Sequence, residues 1–181
     1  GYENLKEPVY YQRALISFPM DRWIVIDRLV SLSRHSYRLH WLLREHGHQF
    51  SPGHLQFKHG SPCRHVYWGS DAPSLGSSIV IGDRESSRGW ASPHYGTKEP
   101  AISIVARAEA ESAVFWTCFS RKPVEVVLEG SQLQVFSENF GATIVIEPRD
   151  FLANIIESFS LKEQDVLGRT APFEELRSVE V

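Results

Sequence analysis

The dominant period of apolar side chains in this chain is two, not 3.6, and that period makes most of it strands. Between His35 and Arg44, Tyr37, Leu39, Trp41 and Leu43 fall on one face, with Ser36, Arg38 and His40 on the other. Pro8 to Phe18 reads as a strand, and Arg22 to Val30 is a nearly unbroken apolar run with Asp27 inside it. Further strands are expected at Leu55–Phe57, Val66–Trp68, Ser78–Ile81, Ala101–Ala108, Ala113–Phe119, Val124–Leu128, Leu133–Phe136 and Ala142–Ile146. Gly, Pro, Ser or Asn separates most of them, and Gly130-Ser131 suits a hairpin turn. Short strands at this spacing predict an all-β fold, an antiparallel β-sandwich of about ten strands. Pro148 to Phe159 carries Phe151, Leu152, Ile155, Ile156 and Phe159 at helical spacing, which predicts one short C-terminal helix. The sandwich domain is thus expected over residues 1–159, with 160–181 as a polar, loosely held tail.

The chain has 181 residues, 42% hydrophobic and 23% charged, which is enough apolar content for a real core. A formal net charge of -3 gives no field that would recruit nucleic acid or an anionic membrane, so neither is an expected partner. No run approaches the roughly 18 apolar residues of a membrane-spanning helix. The first residue is Gly and the sole methionine is Met20, the pattern expected of a piece of a longer protein. The two cysteines, Cys63 and Cys118, lie far apart, and Cys118 sits in an apolar run where a buried thiol is expected.

Candidate chemistry is sparse. Asp27 lies in an apolar strand, where a carboxylate must be paired or bound to metal. A salt bridge to Arg13, Arg28 or Arg38 competes with a metal-ligand role. The eight histidines match no compact zinc spacing; His40, His46 and His48 share strand parity, and His54, His59 and His65 read as loop residues. No Gly-x-Ser-x-Gly elbow, phosphate-binding glycine loop or paired acid–base carboxylates stand out. Trp23, Trp41, Trp68 and Trp116 sit in apolar runs and are expected in the core. Trp90 differs, because Ser, Gly and Arg surround it. The turn-rich segment from Ser86 to Ala101 holds Arg88, Trp90, Tyr95 and Lys98, a polar-aromatic set suited to an acidic sugar. The competing reading is that Trp90 and Tyr95 plug one end of a sandwich while Arg88 and Lys98 hold the loop.

Three segments, taken in order, carry a family resemblance. Tyr11-Gln12-Arg13-Ala14-Leu15 leads into Trp23-Ile24-Val25-Ile26-Asp27-Arg28-Leu29, an arginine strand followed by a W-h-V-h-D-R strand, where h is apolar. His35-Ser36-Tyr37-Arg38-Leu39-His40-Trp41-Leu42-Leu43 follows. The third segment runs from Arg88 to Ala101 in a GW-x-S-x-x-YG-x-K-x-P pattern and continues to Phe115-Trp116-Thr117. Together they resemble the β-rich part of the heparinase II/III-like polysaccharide lyases, over roughly residues 1 to 145.

The resemblance implies a parent protein that eliminates glycosidic bonds in uronate-containing acidic polysaccharides. Its catalytic groups would lie mainly in an N-terminal helical toroid absent from this chain, so no catalytic residue carries over, and the piece itself is expected to be inactive. Arg88, Trp90, Tyr95 and Lys98 are the substrate-binding candidates. The family's β part often holds a divalent metal; Asp27 matches its strand Asp. The histidine expected near the end of the W-L-L strand is missing, since Leu42 or Arg44 stands there. No metal or other cofactor is therefore expected. The implied partners are the missing toroid and an acidic polysaccharide, and the implied compartment is periplasmic or extracellular. The alternative readings are a stand-alone carbohydrate-binding module and a structural interaction domain.

Overall fold

Every regular element among the described residues is a β-strand, as the two-residue period requires. The computed structural model describes residues 6–19, 21–44, 47–58, 64–150 and 152–163. The strands are β1 (Tyr10–Phe18), β2 (Arg22–Arg44), β3 (His48–Ser51), β4 (His54–Phe57), β5 (His65–Ser70) and β6 (Gly76–Ile81). They continue with β7 (Trp90–Ala91), β8 (Glu99–Ser120), β9 (Glu125–Glu129), β10 (Gln132–Ser137), β11 (Phe140–Ile146) and β12 (Ile156–Glu163). One sheet runs β1-β2-β8-β5-β4-β3, with β6 and β7 also paired to β8; the other runs β12-β11-β10-β9. All pairings are antiparallel. Among the described residues no helix is long and apolar enough to cross a membrane.

Two pairs of short strands expected from the sequence are instead two long ones. Arg22–Val30 and His35–Arg44 join as β2, and Ala101–Ala108 and Ala113–Phe119 join as β8. They pair from Trp23 opposite Phe119 to Arg44 opposite Ala101, with a register shift between Val30 and His35. Beyond the shift the pair bends back over itself. The Trp41 indole N–H donates to Thr117 Oγ1 at 2.9 Å, and the Tyr37 hydroxyl donates to the Glu111 carbonyl at 2.8 Å. Trp41 also meets Phe119 edge to face, centroids 5.1 Å apart. Tyr37, Leu39, Ile102 and Ile104 of the bent half thus share one cluster with Phe115 of the straight half and with Leu55, Phe57, Val66 and Trp68.

The opposite face of the straight half covers the second sheet. Ile24, Ile26, Val114, Trp116 and Cys118 pack with Leu133, Val135, Phe140, Ala142, Ile144 and Ile146. Ile24, Ile26, Leu133 and Ile144 have no exposed surface; each such burial is worth roughly 1.5–3 kcal/mol. Trp116 lies across Gly69, its partner on β5, where no side chain would fit. Arg28 points to this same face and is buried. Its guanidinium donates to the Glu147 carbonyl at 2.5 Å, the Ala153 carbonyl at 2.6 Å and the Gln12 side chain. It fastens Glu147 and Ala153 to the large sheet, and burial pushes its pKa down.

The helix expected over Pro148–Phe159 does not form. The Ala153 N–H reaches the Asp150 carbonyl at 3.2 Å, and from Ile156 the chain runs as β12 beside β11. The helical spacing has a specific cause. A register shift sets Ile146 opposite Ile156 but Val145 opposite Ser158, so Glu157 is an extra residue. That bulge puts Ile156 and Phe159, three positions apart, on one buried face, mimicking a helical stripe. Phe151 and residues 164–181 lie outside the described residues.

Candidate functional site

Register alone brings Asp27 to its partner. Arg13 on β1 stands directly opposite Asp27 on β2. The Arg13 Nε and Nη2 donate to the two carboxylate oxygens at 2.6 and 3.0 Å, and the Tyr11 hydroxyl donates at 2.7 Å. Asp27 is buried while the Arg13 side chain is 46% exposed. Arg13 also lies over the rings of Trp41 and Tyr11, at 5.5 and 6.0 Å. Of the partners expected for Asp27, Arg13 is the one used; Arg28 faces the other way. A cavity of about 320 Å³ opens beside this pair, with Arg38 and His40 on its rim. Among the described residues no group of three or more His, Cys, Asp or Glu side chains is placed to hold a metal ion.

The segment from Asp83 to Ala101 is held by its own polar groups. The Trp90 indole N–H donates to the Asp83 carbonyl at 2.7 Å, and Lys98 Nζ sits 4.1 Å from the Trp90 ring. Pro100 and Trp90 close around Gly82. Gly89, at φ +76°, comes so near the backbone of Val80–Gly82 that no side chain fits there. Arg88 extends away from Trp90. It donates to Ser103 Oγ and the Ser103 carbonyl at 3.2 Å each, and to Ser78 Oγ and its carbonyl at 3.1 and 3.3 Å. Asp83 accepts from Ser86, which holds its carboxyl below the usual range. Tyr95 stands fully exposed at the loop tip. The four candidates therefore divide: Trp90 and Lys98 touch, Arg88 braces β6 against β8, and Tyr95 is separate from both.

Arg88 leads to His40, which the sequence offered only as a same-face neighbour of His46 and His48. His40 Nε2 lies 2.9 Å from the same Ser103 Oγ. Burial, then Arg38 and Arg88, push the His40 pKa below 6.5. A second cluster joins residues expected in loops. His54 on β4 and His65 on β5 meet at 3.1 Å between Nε2 and Nδ1, and His54 stacks on Tyr67 at 4.3 Å. Their rings are nearly coplanar, at 10°, so the contact is an in-plane N–H···N hydrogen bond. Burial lowers both pKa values. The cue was the two-residue spacing of His65 and Tyr67, which puts both on one face.

The tryptophans also separate. Trp68 and Trp116 are buried, but Trp23, expected in the core, is 44% exposed. It lies at the end of the straight half, past the reach of the bent half. Cys118 is a buried thiol; Cys63, His46 and His59 lie outside the described residues. No family model matches this chain, and no curated protein matches it either.

Proposed function

We propose that this chain is the two-sheet β-sandwich domain of a heparinase II/III-like protein. The whole protein would be a lyase that eliminates glycosidic bonds in uronate-containing polysaccharides. This domain would buttress the catalytic toroid and supply no catalytic group. The observation that carries the reading is a set of exposed apolar side chains on the β1–β2 side of the straight half, on the face that also carries Arg13. Tyr11, Leu15 and Trp23 project from one face, 44%, 61% and 44% exposed. A sheet face that keeps Leu and Trp in water is built to be covered, and the toroid of the same protein is the natural cover. The residues of the resemblance also work as units: Arg13 pairs with Asp27, and Gly89, Trp90 and Pro100 close around Gly82.

The carbohydrate-binding alternative needs an aromatic platform, and in the Ser86–Ala101 loop Tyr95 alone stands open, since Lys98 sits against Trp90. The test is enzymatic. The chain incubated with heparin, heparan sulfate or alginate should produce no unsaturated-uronate absorbance, and the same chain joined to its upstream segment should produce it. Absorbance from the isolated chain, or none from the longer one, would overturn the reading.

A further inference from the structure

The outer face of the bent half gathers cations that no acid among the described residues neutralises. Alternation places Arg38 and His40 of β2, Ser103 and Arg107 of β8, and Gly76 and Ser78 of β6 on the face turned away from the apolar cluster. Arg38 and Arg107 stand directly opposite each other, a like-charge pairing that weakens a sheet. Neither guanidinium makes a hydrogen bond or ion pair with any described residue. Glu109, two residues from Arg107 on the same face, is directed to Arg34 at 3.8 Å instead.

The surroundings of the pair are open and organised. Gly76 is opposite Arg107 on β6, and the space where its side chain would be is empty. Ser103 Oγ joins His40 to Arg88, and Ser78 fixes the other side of the Arg88 guanidinium. A chain with a formal charge of -3 thus concentrates three arginines and a histidine on one sheet face and leaves two of those arginines without a partner among the described residues. Unrelieved repulsion of this kind is retained where a ligand supplies the missing charge.

We infer that this face is an anion-binding site whose ligand is a carboxylate- or sulfate-bearing oligosaccharide. Arg38 and Arg107 take one acidic group between them, with His40 and Arg88 beside it. The face presents no exposed aromatic ring among its described residues, so it lacks the stacking platform that single-stranded nucleic acid requires. The choice of a sugar acid rests on the function proposed above; the location, on the outer face of the bent half, goes beyond it.

The test is calorimetric titration of the chain with heparin- and alginate-derived oligosaccharides, with an oligonucleotide of matched charge as the second arm. The variants are the Arg38→Gln/Arg107→Gln double and Gly76→Asp, which sets a carboxylate in the empty space beside Arg107. The wild-type chain should bind an oligosaccharide, more weakly as salt rises, and each variant should lose about tenfold or more in affinity. Both variants should melt no lower than the wild type without ligand, because each relieves the opposed charges, and that also controls for folding. Equal affinity in wild type and variants would overturn the site, as would no oligosaccharide binding at all. Equal or tighter binding of the oligonucleotide would overturn the ligand class. If binding depends on Arg38 and Arg107 but the longer chain shows no lyase activity, the proposed function fails and this site stands.

Discussion

Replacing Arg13 by alanine should cost more stability than replacing Asp27 by asparagine, although both changes delete the same ion pair. The reason is the unequal burial of the partners, 46% exposed for the Arg13 side chain against 3% for Asp27. Without Arg13 the buried carboxylate keeps the Tyr11 hydroxyl at 2.7 Å and loses donors at 2.6 and 3.0 Å. Stranding one member of a buried pair costs about 3–5 kcal/mol. Without the Asp27 charge, water can reach the guanidinium that remains. The loss is then that of charge-assisted hydrogen bonds, about 1.5–3 kcal/mol. The expected gap is about 1.5–2 kcal/mol, or roughly 3–8 °C in melting temperature for a chain of this size. Urea unfolding followed by tryptophan fluorescence measures it directly. Arg13→Lys should fall between the two, since it keeps a charge but loses the two-pronged geometry and the stacking on Trp41. If Asp27→Asn proves as costly as Arg13→Ala, burial asymmetry is the wrong account of this pair.

Two further outcomes can be measured on the same chain. His54 and His65 share one N–H···N contact, and burial holds both pKa values below 6.5, with Arg64 adding to the effect at His65. The unfolded chain therefore takes up these protons first. Stability should be complete above about pH 6.5 and decline as the pH falls below it. The melting temperature of His54→Gln should fall less steeply over that range, and parallel profiles would rule the pair out as the cause. Gly89→Ala should cost roughly 2 kcal/mol or more: the new methyl would stand 2.6 Å from the Gly82 nitrogen, at a φ of +76°. A melting temperature equal to that of the wild type would show that the loop is not held as described.

What was legible in the sequence follows from which interactions are local. The two-residue period identified β1, β5, β10 and β11, because alternation is a property of the strand itself. It could not show that 101–108 and 113–119 are one strand, because the register shift sets Ala108 and Ala113 on one face and so breaks the parity that the eye follows. The same effect produced the false helix at 148–159, where one bulged residue, Glu157, converted a spacing of two into a spacing of three. The Asp27 pair was half legible: a carboxylate in an apolar run demands a partner, but only register selects Arg13 over its neighbour in sequence, Arg28. Arg38 and Arg107 were invisible as a pair, since 69 residues separate them and nothing in either strand indicates the other. Their pairing is set by the bend of the long strands, a feature of the whole sheet. Within each strand an arginine on the solvent face is unremarkable; the unneutralised charge arises only when two such faces are joined. The charge contacts of this fold are therefore concentrated where the sequence is least informative, between strands distant in the chain.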